Sequence, residues 1–166
     1  MNKNPESIRD LSIISQQEEL LQFSHFDNAK AWELGEAIKR HCSDRNLAVT
    51  IEIRLCRETV FLYAMQGTSP NNSDWARRKR NTTELQQRSS YAVGLALSEG
   101  VTLETQSGLP IRDYSHHGGS FPIRVKGVGC VGAATISGLP QREDHNIVAR
   151  VIAEQIGVSL VGCELA

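Results

Sequence analysis

His116-His117-Gly118-Gly119 places two imidazoles directly ahead of two glycines. An imidazole near neutral pH can work as a general acid or base, or can ligate haem iron or another metal. Paired glycines let the backbone approach a ligand or a neighbouring chain closely. The plain alternative is a surface or core histidine making one hydrogen bond. No second ligand stands at helix-face or strand spacing from this pair, so no metal site, zinc included, is expected.

Two further segments carry candidate chemistry. Ser137-Gly138-Leu139-Pro140-Gln141 leads into a predicted helix with Pro140 placed for its first turn. A helix start offers free N–H groups and partial positive charge to a small anion, and Arg142 and His145 can assist. Glu143 and Asp144 also stand in that first turn, and on the competing reading they satisfy the same field. Trp75-Ala76-Arg77-Arg78-Lys79-Arg80 is the densest basic run. Arg77, Arg80 and Glu84 share one helical side, with Arg78 elsewhere. Clustered arginines grip carboxylates or phosphates bidentately, and Arg77 is the candidate for that role. Such a run is also the mark of a solvated face or an oligomer interface, which Trp75, Arg78 and Arg80 fit in composition.

Gly127-Val128-Gly129-Cys130-Val131-Gly132 satisfies the G-x-G-x-x-G pattern. A dinucleotide site needs a helix to open at those glycines. The residues that follow are small and partly β-branched, which suits a strand. The segment from Phe121 to Ser137 is therefore predicted as a β-hairpin turning at Lys126–Gly129. No G-x-S-x-G elbow, P-loop lysine or H-E-x-x-H is present. Cys130 falls in a predicted strand, where packing accounts for it.

The chain has 166 residues, 40% hydrophobic and 22% charged, with a net charge of −1. That is the profile of a soluble globular protein and argues against charge-driven nucleic-acid or membrane binding. Its four cysteines form no C-x-x-C and suggest no disulfide framework. With no apolar run after Met1–Pro5, no signal peptide is expected, and a cytoplasmic location follows as the expectation.

Along the chain, residues 1–14 are predicted to be a flexible N-terminal segment and residues 15–160 a single domain. Ser15-Gln16-Gln17-Glu18 reads as a capping box for a short helix carrying Leu20, Leu21 and Phe23. Asp27 caps a second helix. Val49, Ile51, Ile53 and Leu55 alternate with Thr50, Glu52 and Arg54, as on a half-buried strand, and Thr59–Met65 returns as its hairpin partner. A polar helix is predicted from about Asp74 to Ser89, a more apolar one over 89–99, and one helical turn between Gly100 and Pro110. A final helix runs from Gln141 to Ile156. Two hairpins exclude a parallel doubly wound sheet, so the fold class is α+β, a central antiparallel sheet covered by helices.

His117-Gly118-Gly119-Ser120-Phe121-Pro122-Ile123, then Val131-Gly132-Ala133, Thr135-Ile136-Ser137-Gly138 and Glu143-Asp144-His145, resemble the haem-degrading HbpS/GlcG-like family in type and order. Asp74–Thr82 and Ser89–Gly94 look like an uncharacterised branch of it. The resemblance covers roughly residues 15 to 157 and implies a profilin-like fold assembled into homo-oligomers. It implies a small-ligand-binding protein, with haem or another carboxylate-bearing or anionic ligand. The ligand would be held by His117, Gly118, Gly119, Ser137, Gly138, Gln141, Arg142, His145 and Arg77. A non-catalytic structural or interaction module and a haem-degrading enzyme remain as alternatives.

Overall fold

A computed structural model describes residues 4–165 of the chain. The elements run α1 (Pro5–Leu20), β1 (Gln22–Phe23), α2 (Asn28–Ser43), β2 (Thr50–Leu55), β3 (Glu58–Ala64), α3 (Pro70–Gln86), α4 (Ser90–Ala96), α5 (Leu103–Ser107), β4 (Ser120–Val125), β5 (Gly129–Ser137) and α6 (Gln141–Ile156). The five strands form one sheet in the order β1-β4-β5-β2-β3. The β2/β3, β2/β5 and β4/β5 pairs are antiparallel. This is the α+β, profilin-like arrangement expected.

The glycine pattern at 127–132 sits in a hairpin, not at a helix start. Gly127 and Gly129 take φ of +75° and +113°, and β5 begins at Gly129. Ser137 at its far end pairs with Thr50 of β2 and leads directly into α6.

The two faces of the sheet differ in chemistry. Ile51, Ile53, Phe121, Ile123, Ala134 and Ile136 belong to one apolar core with Leu34 and Ile38 of α2 and Val148, Val151 and Ile152 of α6. Fully burying such a side chain contributes about 1.5–3 kcal/mol. The face under α3 is buried but polar. Arg54 Nε lies 2.9 Å from Glu84 Oε1, and Arg80 Nε lies 3.6 Å from Glu52 Oε2. The Thr59 hydroxyl donates to Glu52 at 2.7 Å, and the Ser120 and Thr135 hydroxyls meet at 2.7 Å. The alternation in β2 was therefore legible, but its polar side is not open to water: Thr50 and Glu52 are buried. Arg80, expected at an interface, is instead packed beneath its own helix.

Three further elements depart from expectation. α1 begins at Pro5, with Asn4 Oδ1 accepting the Glu6 N–H, ahead of the boundary placed at residue 15. Ser15 caps nothing, and its hydroxyl donates to the Leu11 carbonyl at 2.9 Å. Within the segment expected to be flexible, residues 1–3 lie outside the described residues, while Asp10 and Ile14 are buried. Phe23 lies in β1, not on a helix, and β1 pairs with β4 in parallel. α3 starts at Pro70 because Ser69 and Asn72 form a reciprocal capping box there, and it ends at Gln86 before a left-handed Gln87.

Exposed large apolar side chains include Trp32, Leu62 and Tyr63, on α2 and the edge strand β3. Trp32 stands edge-on to Phe61 at 5.3 Å. Among the described residues no helix is long and apolar enough to cross a membrane.

Candidate functional site

A cleft of about 310 Å³ opens where the N-terminal halves of α3 and α6 meet the loop before β4. From α3 come Asn71, Asn72, Trp75 and Lys79, the last three at the spacing that puts side chains on one helical face. Asn72 spends its carbonyl oxygen on the Ser69 N–H at 2.9 Å, so its amide NH₂ remains for other acceptors. The end of β5 and the turn after it contribute Ser137, Gly138 and Leu139, and α6 contributes its first residue, Gln141. Gln141 Oε1 accepts the Gly118 N–H at 3.3 Å, which ties the loop to the helix start. The first turn of α6 has no side-chain cap.

His117 completes the lining. Its Nδ1 lies 3.0 Å from the Ser115 hydroxyl, and its backbone N–H donates to the same oxygen at 3.2 Å. No protein partner for its Nε2 is found among the described residues. The ring packs edge-on against Trp75 at 5.0 Å and stacks on His116 at 5.1 Å. Burial, then the neighbouring His116, Lys79 and Arg78, hold its pKa below the ordinary histidine value. It is therefore neutral at neutral pH and able to donate, accept or ligate through one nitrogen. The Arg78 guanidinium lies 3.9 Å over the Trp75 ring, fixing the indole from behind.

The floor is a buried ion pair. Lys79 Nζ is 2.7 Å from Asp144 Oδ2 and donates also to the Ile136 carbonyl at 3.3 Å. Asp144 accepts the Leu139 N–H at 3.2 Å. Burial pushes its carboxyl up to about 6 against the opposing pull of Lys79.

The two glycines after His117 serve this floor. A Cβ at Gly118 would stand 2.2 Å from the Gln141 carbonyl oxygen. Gly119 holds φ +130°, and a Cβ there would lie 2.5 Å from the Ile136 oxygen and 2.8 Å from Lys79 Nζ. Their close approach is to α6 and the ion pair, where the sequence suggested a ligand or a second chain.

Of the residues singled out from sequence, His117, Ser137, Gly138 and Gln141 line the cleft together, with Gly118 and Gly119 directly behind. Arg142 does not line it. It turns to Glu6 at 3.0 Å and to Asp10, fastening α1 to α6. His145 is buried in the core between Tyr91 and Phe121, with Nε2 2.8 Å from Gln17 Oε1. Arg77 pairs with Asp74 and Asp113, each at 3.0 Å, and donates to the Arg112 carbonyl at 2.7 Å, pinning the 110–115 loop to α3. Trp75, expected at an interface, is a cleft wall, and Arg78 is its backing, paired with Asp74 at 2.9 Å. Sequence reasoning missed Asn71, Asn72 and Lys79 as lining residues, while Leu139 stands in the loop it singled out. The spacing of Asn72, Trp75 and Lys79 was the available signal, masked by the arginines around Lys79.

The relatives agree with this architecture. A model described as "Haem degrading protein HbpS-like" matches residues 26–153. A UPF0303 protein of Serratia proteamaculans is 49% identical over 152 residues, 91% of this chain and 94% of that protein. The crystal structure of Ybr137w superposes with a TM-score of 0.80 at 27% identity, covering 87% of both chains. The PduOC:heme complex has the same fold, with a TM-score of 0.64 at 19% identity over 76% of this chain and 91% of that one. With the family pattern spanning β1's flank to α6 and both hairpins in place, the chain belongs to the haem-degrading, HbpS-like family.

Proposed function

We propose that the chain is a binding protein for a small carboxylate-bearing ligand, held in the cleft between α3 and α6. The observation that carries this is the lining itself. Asn71, Asn72, Lys79, His117, Ser137 and Gln141 bring hydrogen-bond donors to one small cavity walled by Trp75, and among the described residues no acidic side chain lines it, Asp144 lying buried beneath Lys79. A few convergent polar groups beside an aromatic wall are the usual make-up of a small-molecule site. Benzoate and acetate, with neutral benzamide as control, are suitable probes by titration calorimetry. Benzoate should bind and His117→Ala should weaken it by about tenfold, the value of one hydrogen bond to a charged group. Failure of both carboxylates to bind the folded protein would overturn the reading.

Haem is the second reading, favoured by the partnerless Nε2 of His117 and by the haem in the PduOC complex. A porphyrin is larger than this cleft, and Arg77 and Arg78 of α3 are already ion-paired. The residues present therefore fit a small carboxylate better than an enclosed haem. A haem titration separates the two: a Soret shift that His117→Ala abolishes would favour haem.

Self-association, which the family resemblance implies, has its best support at the exposed edge. β3 is an outer strand with unpaired backbone groups, carries neither lysine nor proline, and displays Leu62 and Tyr63. Such edges pair with a second copy unless blocked.

A further inference from the structure

The ion pair on the cleft floor is a costly thing to bury. Lys79 and Asp144 have side chains 5% and 0% exposed. Removing two charges from water costs several kcal/mol, and an apolar pair would pack as well. Its placement gives it a use. Lys79 lines the cleft, and its ammonium has three N–H groups but, among the described residues, only two acceptors, Asp144 and the Ile136 carbonyl. Gly119 brings its backbone close against the pair, where a Cβ would stand 2.8 Å from Nζ.

We propose that Lys79 is the residue that makes this cleft select an anion over its neutral isostere, and that Asp144 takes up a proton as the anion binds. This rests on the carboxylate reading of the site. An anion accepting the third N–H of Lys79 sets two negative groups around one buried cation, which disfavours ionisation of the second. A solvent proton on Asp144 relieves the repulsion. Lys79 keeps its three protons, the ligand remains an anion, and Asp144 becomes a carboxylic acid.

The surroundings leave Asp144 as the group that responds. Facing it are Lys79 from α3, the Leu139 and Gly138 N–H groups from the β5–α6 turn, and the Cys42 thiol from α2. His145 follows it on α6, with its pKa lowered to about 3. The Cys42 thiol is raised to about 11. Both are neutral near physiological pH, so among the described residues Lys79 is the one charge facing Asp144. Burial has already brought the Asp144 carboxyl to about 6, within reach of neutral pH.

Calorimetry of benzoate and benzamide on the full chain, at one pH near 7 in HEPES and in Tris, reads proton uptake from the buffer dependence of the enthalpy. Benzoate should take up a substantial fraction of a proton and bind up to about tenfold tighter for each pH unit lowered toward 6. Benzamide should be weak and indifferent to pH. Asp144→Asn keeps an amide oxygen for Leu139 and should abolish the uptake while tightening benzoate. Because Lys79→Met alone strands a buried carboxylate, the double variant Lys79→Met/Asp144→Asn is the test of the lysine, and it should lose the preference for benzoate over benzamide. Benzoate binding with no proton uptake, or a double variant that still prefers the anion, would overturn this inference and leave the binding site standing. Binding of neither probe by the wild type would remove both.

Discussion

His145 Nε2 lies 2.8 Å from Gln17 Oε1, and the Gln17 amide nitrogen donates to the Cys163 carbonyl at 2.7 Å. The second bond fixes which end of the amide faces the ring, so His145 carries its proton on Nε2. Its Nδ1 is buried with no partner among the described residues. A second proton would have nowhere to donate, and burial holds the ring neutral, with its pKa lowered to about 3.

Acid should therefore unfold this protein through His145. Its folded value lies below the unfolded one of about 6.5, so its contribution is complete above that pH and is lost as pH falls from there toward about 3. Asp144 runs the other way. Its folded value is raised to about 6, so its contribution is full below about 3.8 and lost as pH rises through 6. Between about 3.8 and 6 the two slopes are equal and opposite, so this pair gives the wild type no net pH dependence there. Asp144→Asn removes the opposing slope, and urea unfolding of that variant should show stability falling from pH 6.5 downward, by at most about 1.4 kcal/mol per pH unit. Adding His145→Asn to it should cost about 1–3 kcal/mol at neutral pH and flatten that acid slope. An unchanged slope would show that another group governs it.

Arg142 is a structural clamp. It holds Glu6 and the 1%-exposed Asp10 from the first turn of α6. Among the described residues, Arg142→Ala leaves Asp10 with only the adjacent Arg9 as an ion-pair partner, at 3.3 Å. Loss of one partner of a buried pair costs about 3–5 kcal/mol, and the 25% exposure of Arg142 places this case at or below the lower figure. Hydrogen exchange should quicken first in residues 5–14, with benzoate affinity unchanged. Weakened binding without faster exchange would return Arg142 to the ligand site.

What the sequence showed and hid follows from the range of each interaction. The alternation in β2 and the stripe of Ile147, Val148, Val151 and Ile152 are local patterns, and both elements formed where expected. The α1 start is also written locally, in Asn4-Pro5-Glu6, but Ser15-Gln16-Gln17-Glu18 carries a competing cap pattern. β1 had no local signal, because two residues become a strand only by pairing with β4, about 100 positions later. The site divides in the same way. His117, Ser137 and Gln141 were visible from loop and cap chemistry. Lys79 was hidden, because its burial is set by Asp144, 65 residues away.

The proposed self-association at the β3 edge is open to a direct comparison. Trp75, Arg78 and Arg80 are engaged with the cleft, with Asp74 and with Glu52, so Trp75→Ala should leave the native mass unchanged by light scattering. Leu62 is 62% exposed on the β3 edge. Leu62→Lys places a charge on that edge and should shift the protein toward monomer. Dissociation by Trp75→Ala with none by Leu62→Lys would reverse the assignment.

Gly119 and Gly127 separate backbone strain from site geometry. Both hold positive φ, +130° and +75°. Nothing lies within 4 Å of a Cβ at Gly127, whereas at Gly119 it would stand 2.5 Å from the Ile136 oxygen and 2.8 Å from Lys79 Nζ. Gly127→Ala should cost about 1 kcal/mol, the penalty of a left-handed alanine, and leave benzoate binding intact. Gly119→Ala adds a clash with a core strand and displaces the ammonium, so it should cost about 3 kcal/mol or more and abolish binding in the fraction that folds. Thermal unfolding and benzoate titration of both variants read the two effects side by side. Equal losses of stability, with binding retained in both, would show that Gly119 answers only to its turn.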